Sequence, residues 1–198
     1  MKRLFGTIAT LCAACAFCAS PASGAETSES DAAAGKVLIA YYSWSGNTRH
    51  AAERIQKTTN GTLFEIKPKQ AYPKDYAECV SQAKKEIQAG FKPELASDVE
   101  NFARYEIVFV GTPNWWSTMA PPVLAFLSSH DFKGKTVVPF VTHGSGGMAR
   151  CETDMRAACP GANFLPGKAF YGNRIQDATP ELTQWAKSVV EEAVAKGK

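Results

Sequence analysis

The residues best placed to do chemistry stand in one short loop, Ser43-Trp44-Ser45-Gly46-Asn47-Thr48. Hydroxyls recur at Ser43, Ser45 and Thr48 around a glycine, and the loop runs from an apolar stretch straight into a helical one. Free N–H groups at a helix start, the positive end of its dipole and nearby hydroxyls together form a cradle for a phosphate. What the loop lacks narrows the ligand. A P-loop that reaches the β- and γ-phosphates needs Gly-Lys-Ser/Thr, a dinucleotide site needs G-x-G-x-x-G, and neither is present. A phosphotyrosine phosphatase of low molecular weight needs a cysteine where Ser43 stands, with Arg49 at the distal end of the loop; serine supplies no low-pKa thiolate. A response-regulator receiver needs acids where Tyr41-Tyr42 and Gly111-Thr112 end their runs. A single terminal phosphomonoester is the better fit.

Two further stretches, Thr112-Pro113-Asn114-Trp115-Trp116 and His143-Gly144-Ser145-Gly146-Gly147, also follow apolar runs. The first offers two adjacent aromatic faces, and the second offers glycines that let a ligand approach the backbone, beside an imidazole whose ordinary pKa lies near neutrality. Adjacent side chains of an extended chain point opposite ways, so one tryptophan can stack on a ligand while the other packs; Trp115 lies nearer the strand end. His50 and His130 have no partner in sequence and read as surface residues.

The elements that must position these stretches are legible from periodicity. Continuous apolar runs at residues 37–42, 62–66, 106–111, 136–142 and 163–170 have the character of strands covered on both faces. Helical stretches alternate with them at 49–58, 74–89, 122–129 and 147–158. The last helix is the clearest, with Thr179 as N-cap, Pro180 at the first helical position, and Leu182, Trp185, Ala186, Val189, Val190 and Ala193 on one face. Strands alternating with helices predict a parallel, doubly wound α/β sheet whose ligands bind beyond the carboxyl ends of the strands. The long connection over residues 68–104 carries Tyr76, Val80, Ala83 and Ile87 at near-helical spacing and is expected to dock on the sheet.

With Ser43, Ser45, Gly46 and Thr48 in place after the first strand, the sequence resembles a flavodoxin from residue 36 to its end. The resemblance implies a flavodoxin-like three-layer sandwich, a five-stranded parallel sheet of order 2-1-3-4-5 with helices on both faces, and FMN as cofactor. It assigns the flavin phosphate to Ser43, Trp44, Ser45, Gly46, Asn47 and Thr48. It assigns the ring to Thr112, Pro113, Asn114, Trp115 and Trp116, and to His143, Gly144, Ser145, Gly146 and Gly147. Many flavodoxins stack a tyrosine in that last loop, where this chain has none and where His143 could substitute in part. The activity implied is electron carriage through the flavin to a redox partner protein. The alternatives are an FMN-dependent NAD(P)H:quinone-type reductase with a small quinone-like acceptor, or a flavin-binding protein without turnover.

Length and composition set the outer bounds. At 198 residues, 45% of them hydrophobic, the chain has material for one well-filled core. Lys2 and Arg3 precede an apolar run and then Ser20-Pro21-Ala22-Ser23-Gly24-Ala25, which reads as a secretory signal peptide over residues 1–25 cleaved after Ala25. Residues 26–35 read as a disordered leader, and 36–198 as the flavodoxin-like domain. The product is expected to be periplasmic or extracellular, with no membrane span in the mature chain. Losing Lys2 and Arg3, with no acid before Glu26, lowers the formal net charge from +3 to +1, which makes no electrostatic case for nucleic acid. Cys79, Cys151 and Cys159 remain, and Cys151 can pair with Cys159 only if the helix between them ends early. No C-x-x-C pair and no Cys/His cluster argues for thioredoxin or zinc chemistry.

Overall fold

The computed structural model describes residues 36–196. The expected signal peptide, residues 1–25, and the expected disordered leader, residues 26–35, lie outside that range. Apolar strands joined through helices give the expected sheet: β1 (Val37–Tyr41), α1 (Asn47–Thr59), β2 (Thr62–Glu65), α2 (Tyr76–Gln88), β3 (Ile107–Trp115), β4 (Thr118–Met119), α3 (Pro121–Ser129), β5 (Thr136–His143), α4 (Cys151–Ala158), β6 (Asn163–Phe164), β7 (Lys168–Tyr171) and α5 (Thr179–Lys196). The parallel order is β2-β1-β3-β5, with the fifth place filled first by β6 and then by β7. This is the expected 2-1-3-4-5 arrangement with two additions, a short antiparallel β4 beside β3 and a divided last strand.

Side chains alternate across the sheet and build a core on each face. Leu38, Ala40, Val108, Val110 and Val137 meet α2, α3 and α4 through Cys79, Ala83, Val123, Phe126 and Met155. Val37, Ile39, Phe109, Val138 and Phe140 meet α1 and α5 through Ala51, Ile55, Leu182, Ala186 and Val189. Full burial of such side chains is worth about 1.5–3 kcal/mol each, which is why the central strands read as unbroken apolar runs.

Several boundaries differ from the sequence reading for physical reasons. Asp75 caps α2, its carboxylate accepting the N–H of Glu78 at 2.9 Å. The helix buries Cys79 and Ala83 and leaves Tyr76 71% exposed, so it is rotated from the face expected to dock. Helix α4 starts at Cys151, later than expected, because Gly147 and Ala149 adopt positive φ. Thr179 lies inside α5 as its first residue; its Oγ1 donates to the carbonyl of Gln176 at 2.8 Å instead of capping the helix.

The division of the fifth strand is a one-residue bulge. Val137 pairs with Phe164, but Phe140 pairs with Lys168, so one extra residue lies on the outer strand. Pro139 stands opposite the break and has no N–H to give. The N–H of Gly167 turns instead to Glu152 Oε2 at 3.1 Å, and a Cβ at Gly167 would meet Pro139 at 2.8 Å.

Candidate functional site

Stretches 43–48, 112–117 and 143–147 meet at the carboxyl edge of the sheet, where the chain leaves β1 toward α1 on one face and β3 toward α3 on the other. Gly46 closes the first loop with φ 91°, a conformation that disfavours any side chain, and its N–H donates to Ser43 Oγ at 3.1 Å. Helix α1 then begins with no side-chain cap and no acid in its first turn. A Cβ at Gly46 would meet nothing within 4 Å, so the space before the helix is open. Thr48 is buried and shares a 2.7 Å hydrogen bond with Thr142 of β5. Asn47 leans the same way, its amide nitrogen so close to Gly172 that a Cβ there would approach within 2.6 Å. Trp44 turns in the other direction, its indole N–H donating to the carbonyl of Pro73 at 2.9 Å. The geometry is that of an anion cradle with free helix-start amides and hydroxyls at Ser43 and Ser45.

The two remaining loops form one unit through Asn114. Its amide donates to the carbonyl of Gly147 at 2.9 Å, and its Oδ1 accepts the N–H of Ser117 at 3.0 Å. The N–H of Arg150 adds a bond to the Ser117 carbonyl at 2.9 Å. Thr112 is buried and internally committed, accepting the N–H of Ala120 at 3.0 Å and donating to the carbonyl of Pro113 at 2.9 Å. Strand β3 extends four residues beyond its expected end, so Trp115 is its last residue and not part of a loop. Trp115 packs edge-on against Tyr72 at 4.9 Å and Tyr42 at 5.5 Å between ring centroids. Trp116 and Ser117 form a two-residue hairpin turn into β4, both at positive φ (52° and 67°). Trp116 is 47% exposed and is fixed to α2: its indole N–H donates to the carbonyl of Val80 at 3.1 Å, and the Lys84 ammonium sits 4.7 Å from its ring centre.

His143 ends β5 with its ring buried and its Nδ1 without a hydrogen-bond partner. Burial holds its pKa below the ordinary histidine value. Gly144, Ser145 and Gly146 are exposed beside it, and Gly147 is half-buried. A residue that sequence reasoning passed over stands at this point: Tyr171 of β7 lies opposite His143 in register, with ring centroids 4.4 Å apart and half its surface exposed. A tyrosine beside the histidine is thus present, but it comes from the neighbouring strand. The expected run over residues 163–170 stops one residue short of it, so periodicity alone gave no signal.

The other two histidines are not surface groups. His130 keeps only 7% of its side chain exposed, stacks against Phe102 and Phe126, and faces Asp98 at 2.9 Å. His50 is half-buried, with Nε2 buried and unpartnered. His130 is drawn in by Phe102 and Asp98, which are distant in sequence. The thiols are settled by α4, which keeps Cys151 and Cys159 a helix apart: Cys79, Cys151 and Cys159 are all free and buried. Among the described residues no helix is long and apolar enough to cross a membrane.

A family model described as Flavodoxin matches residues 36–189. Among solved structures, a candidate flavoprotein from Bacteroides uniformis ATCC 8492 is 32% identical with a TM-score of 0.69, over 77% of this chain and 98% of that one. A second, from Bacteroides eggerthii DSM 20697, is 30% identical with a TM-score of 0.64, over 74% and 97%. A flavoprotein from Lactobacillus acidophilus NCFM, solved in complex with FMN, is 25% identical with a TM-score of 0.59, over 73% and 98%. No curated protein matches the chain.

Proposed function

We propose, from the premise that this chain belongs to the flavodoxin family, that it binds FMN at the carboxyl edge of its sheet and serves as an exported redox protein. The observation that carries this reading is the uncapped start of α1, which follows a hydroxyl-bearing loop at the point where the crossovers diverge. Residues 43–48 would hold the phosphate, with Ser43 and Ser45 supplying hydroxyls and α1 its free amides. The second half of the site fits a flat ring with polar edges. Asn114 fixes two loops against each other, Gly144 and Gly146 leave backbone accessible, and His143 Nδ1 is a buried polar atom in need of a partner.

When bound, FMN supplies the electron-transfer chemistry. The chain's own work is to orient and tune. His143, held neutral by burial, can donate or accept at Nδ1, and Tyr171 keeps its ring in place. Trp115, wedged against Tyr72 and Tyr42, gives the hairpin a rigid base.

Electron carriage is the main reading. A reductase acting on a small acceptor is the second, favoured by Tyr171 and Trp116, which leave about half of each ring open to an arriving molecule. A mature net charge near +1 also departs from the strongly acidic character of shuttling flavodoxins. The leader over residues 1–25 supports export, with Ser23 and Ala25 suiting the cleavage subsites; N-terminal sequencing of the exported protein is expected to begin at Glu26.

Titrating the refolded chain with FMN tests the root of both readings. Quenched flavin fluorescence and a yellow, gel-filtered protein are expected; a colourless protein would overturn them. Stopped-flow mixing with NADPH, with and without a quinone, then separates them, since rapid bleaching marks the reductase and persistent colour the carrier.

A further inference from the structure

Beside the proposed cofactor site, on the α2 side of the β3–β4 hairpin, lies a cavity of about 290 Å³ lined by Trp44, Tyr76, Val80, Ala83, Trp115 and Trp116, together with Cys79 and Asn114. None of its lining residues comes from 45–48 or from 143–147. The two sides of the edge are pulled apart by the contacts already described: Thr48 and Asn47 lean toward Thr142 and Gly172, whereas Trp44 leans toward Pro73 and Tyr76. We propose that this slot is a second binding site, for a planar, uncharged aromatic molecule of one or two fused rings, of the quinone class.

The lining argues for that class. No lining side chain carries a charge, and the one amide, Asn114, has already given its donor to Gly147 and its acceptor to Ser117. A sugar or a charged ligand would find its polar groups unpaired there, at the cost of its lost hydration. Three indoles and a phenol offer flat faces and edges, which suit a stacked ring. The volume lies at the small end of ligand sites, enough for one or two rings. The walls are also fixed before any ligand arrives. Trp116 is held by Val80 and Lys84 across a turn that keeps a non-glycine residue at positive φ, and Trp115 is clamped by Tyr42 and Tyr72. Exposing nearly half of a tryptophan beside an exposed tyrosine is costly unless something covers them. Cys79 in the slot does not trap such a molecule, since burial pushes its thiol up and away from the reactive thiolate.

The slot goes beyond the flavin reading but shares Trp44, Asn114, Trp115 and Trp116 with the stretches assigned to the flavin, so the test measures the two ligands separately and in competition. Menadione is titrated into the full chain, free of FMN and saturated with it, and followed by tryptophan quenching and calorimetry. Saturable one-to-one binding is expected in both forms. Tyr76→Ala, at an exposed position, and Val80→Phe, which fills the slot, are each expected to weaken menadione about tenfold or more while FMN affinity stays within about twofold. Circular dichroism and the FMN titration report whether each variant is folded. The proposal is overturned if menadione binds without saturation, if both variants bind it as the native chain does, or if FMN displaces it, in which case the slot belongs to the flavin ring. Menadione binding with no FMN binding would sink the flavin reading and leave the slot standing.

Discussion

Thr48 and Thr142 share a buried hydrogen bond of 2.7 Å that ties the first turn of α1 to the end of β5, two strands away in the sheet. Thr142→Val keeps the shape and strands the Thr48 hydroxyl. The expected loss is about 1–3 kcal/mol in urea unfolding, while Thr48→Val combined with Thr142→Val should recover most of it because both polar groups are gone. If the double variant is no more stable than the single, the hydroxyl pair is not what links the two elements.

Gly111 faces the ring of Phe140 across β3 and β5, and a Cβ there would lie 2.2 Å from Phe140 Cζ. Gly111→Ala is expected to destabilise the fold by about 1–3 kcal/mol through overpacking, with Gly111→Ala, Phe140→Leu partly relieving it. Thermal unfolding of the three variants reads the coupling directly.

Gly46 sits at φ 91° with open space above it. Alanine there meets no neighbour, so the folding cost is the backbone conformation alone, about 1–2 kcal/mol. On the reading proposed above, the added methyl also crowds the anion cradle. FMN affinity should fall about tenfold, or about 1.4 kcal/mol, in a fluorescence titration. Unchanged affinity would move the phosphate elsewhere.

His143 is resisted as a cation by burial, so its folded pKa lies below the ordinary value of 6.5. The unfolded chain therefore takes up a proton near 6.5 before the folded one does. Stability is fully present above that value and declines as pH falls through it toward the lower folded pKa. Urea midpoints measured between about pH 5 and 8 should slope downward on the acid side for the native chain and flatten for His143→Gln. Identical slopes in the two proteins would show that another group carries the effect.

Burial pushes the thiols of Cys151 and Cys159 up to about 12 and raises that of Cys79. All three should resist iodoacetamide in the folded protein and react fully in denaturant, with peptide mapping identifying each. Recovery of a peptide joining Cys151 to Cys159 would contradict the eight-residue helix that separates them.

What could be read from the sequence was what local chemistry dictates. The run from Val37 into the Ser43 loop and on into α1 carries its own signals: unbroken apolar residues, a glycine at the turn and hydroxyls at fixed steps. The features that escaped are set by distant partners. The hairpin at Trp116 and Ser117 has no Asn-Gly signature and is stabilised instead by Asn114 and by α2. The rotation of α2 follows from small residues, Cys79 and Ala83, that let the helix approach the sheet closely, which periodicity of large side chains does not reveal. His130 looked exposed because Phe102 and Asp98, which enclose it, are about thirty residues away.

The bulge at Gly167 acts on the outer strand as a frameshift acts on a message. Upstream of it Phe164 faces the α2 side; downstream the parity is reversed, so that Phe170 enters the α5 core and Tyr171 comes abreast of His143. One residue of phase therefore decides which aromatic ring is sealed inside and which is presented at the mouth of the site. Pairing that ran on unbroken from Phe164, with the bulge straightened and no residue removed, would bring Phe170 abreast of His143 and exchange their places without altering either ring.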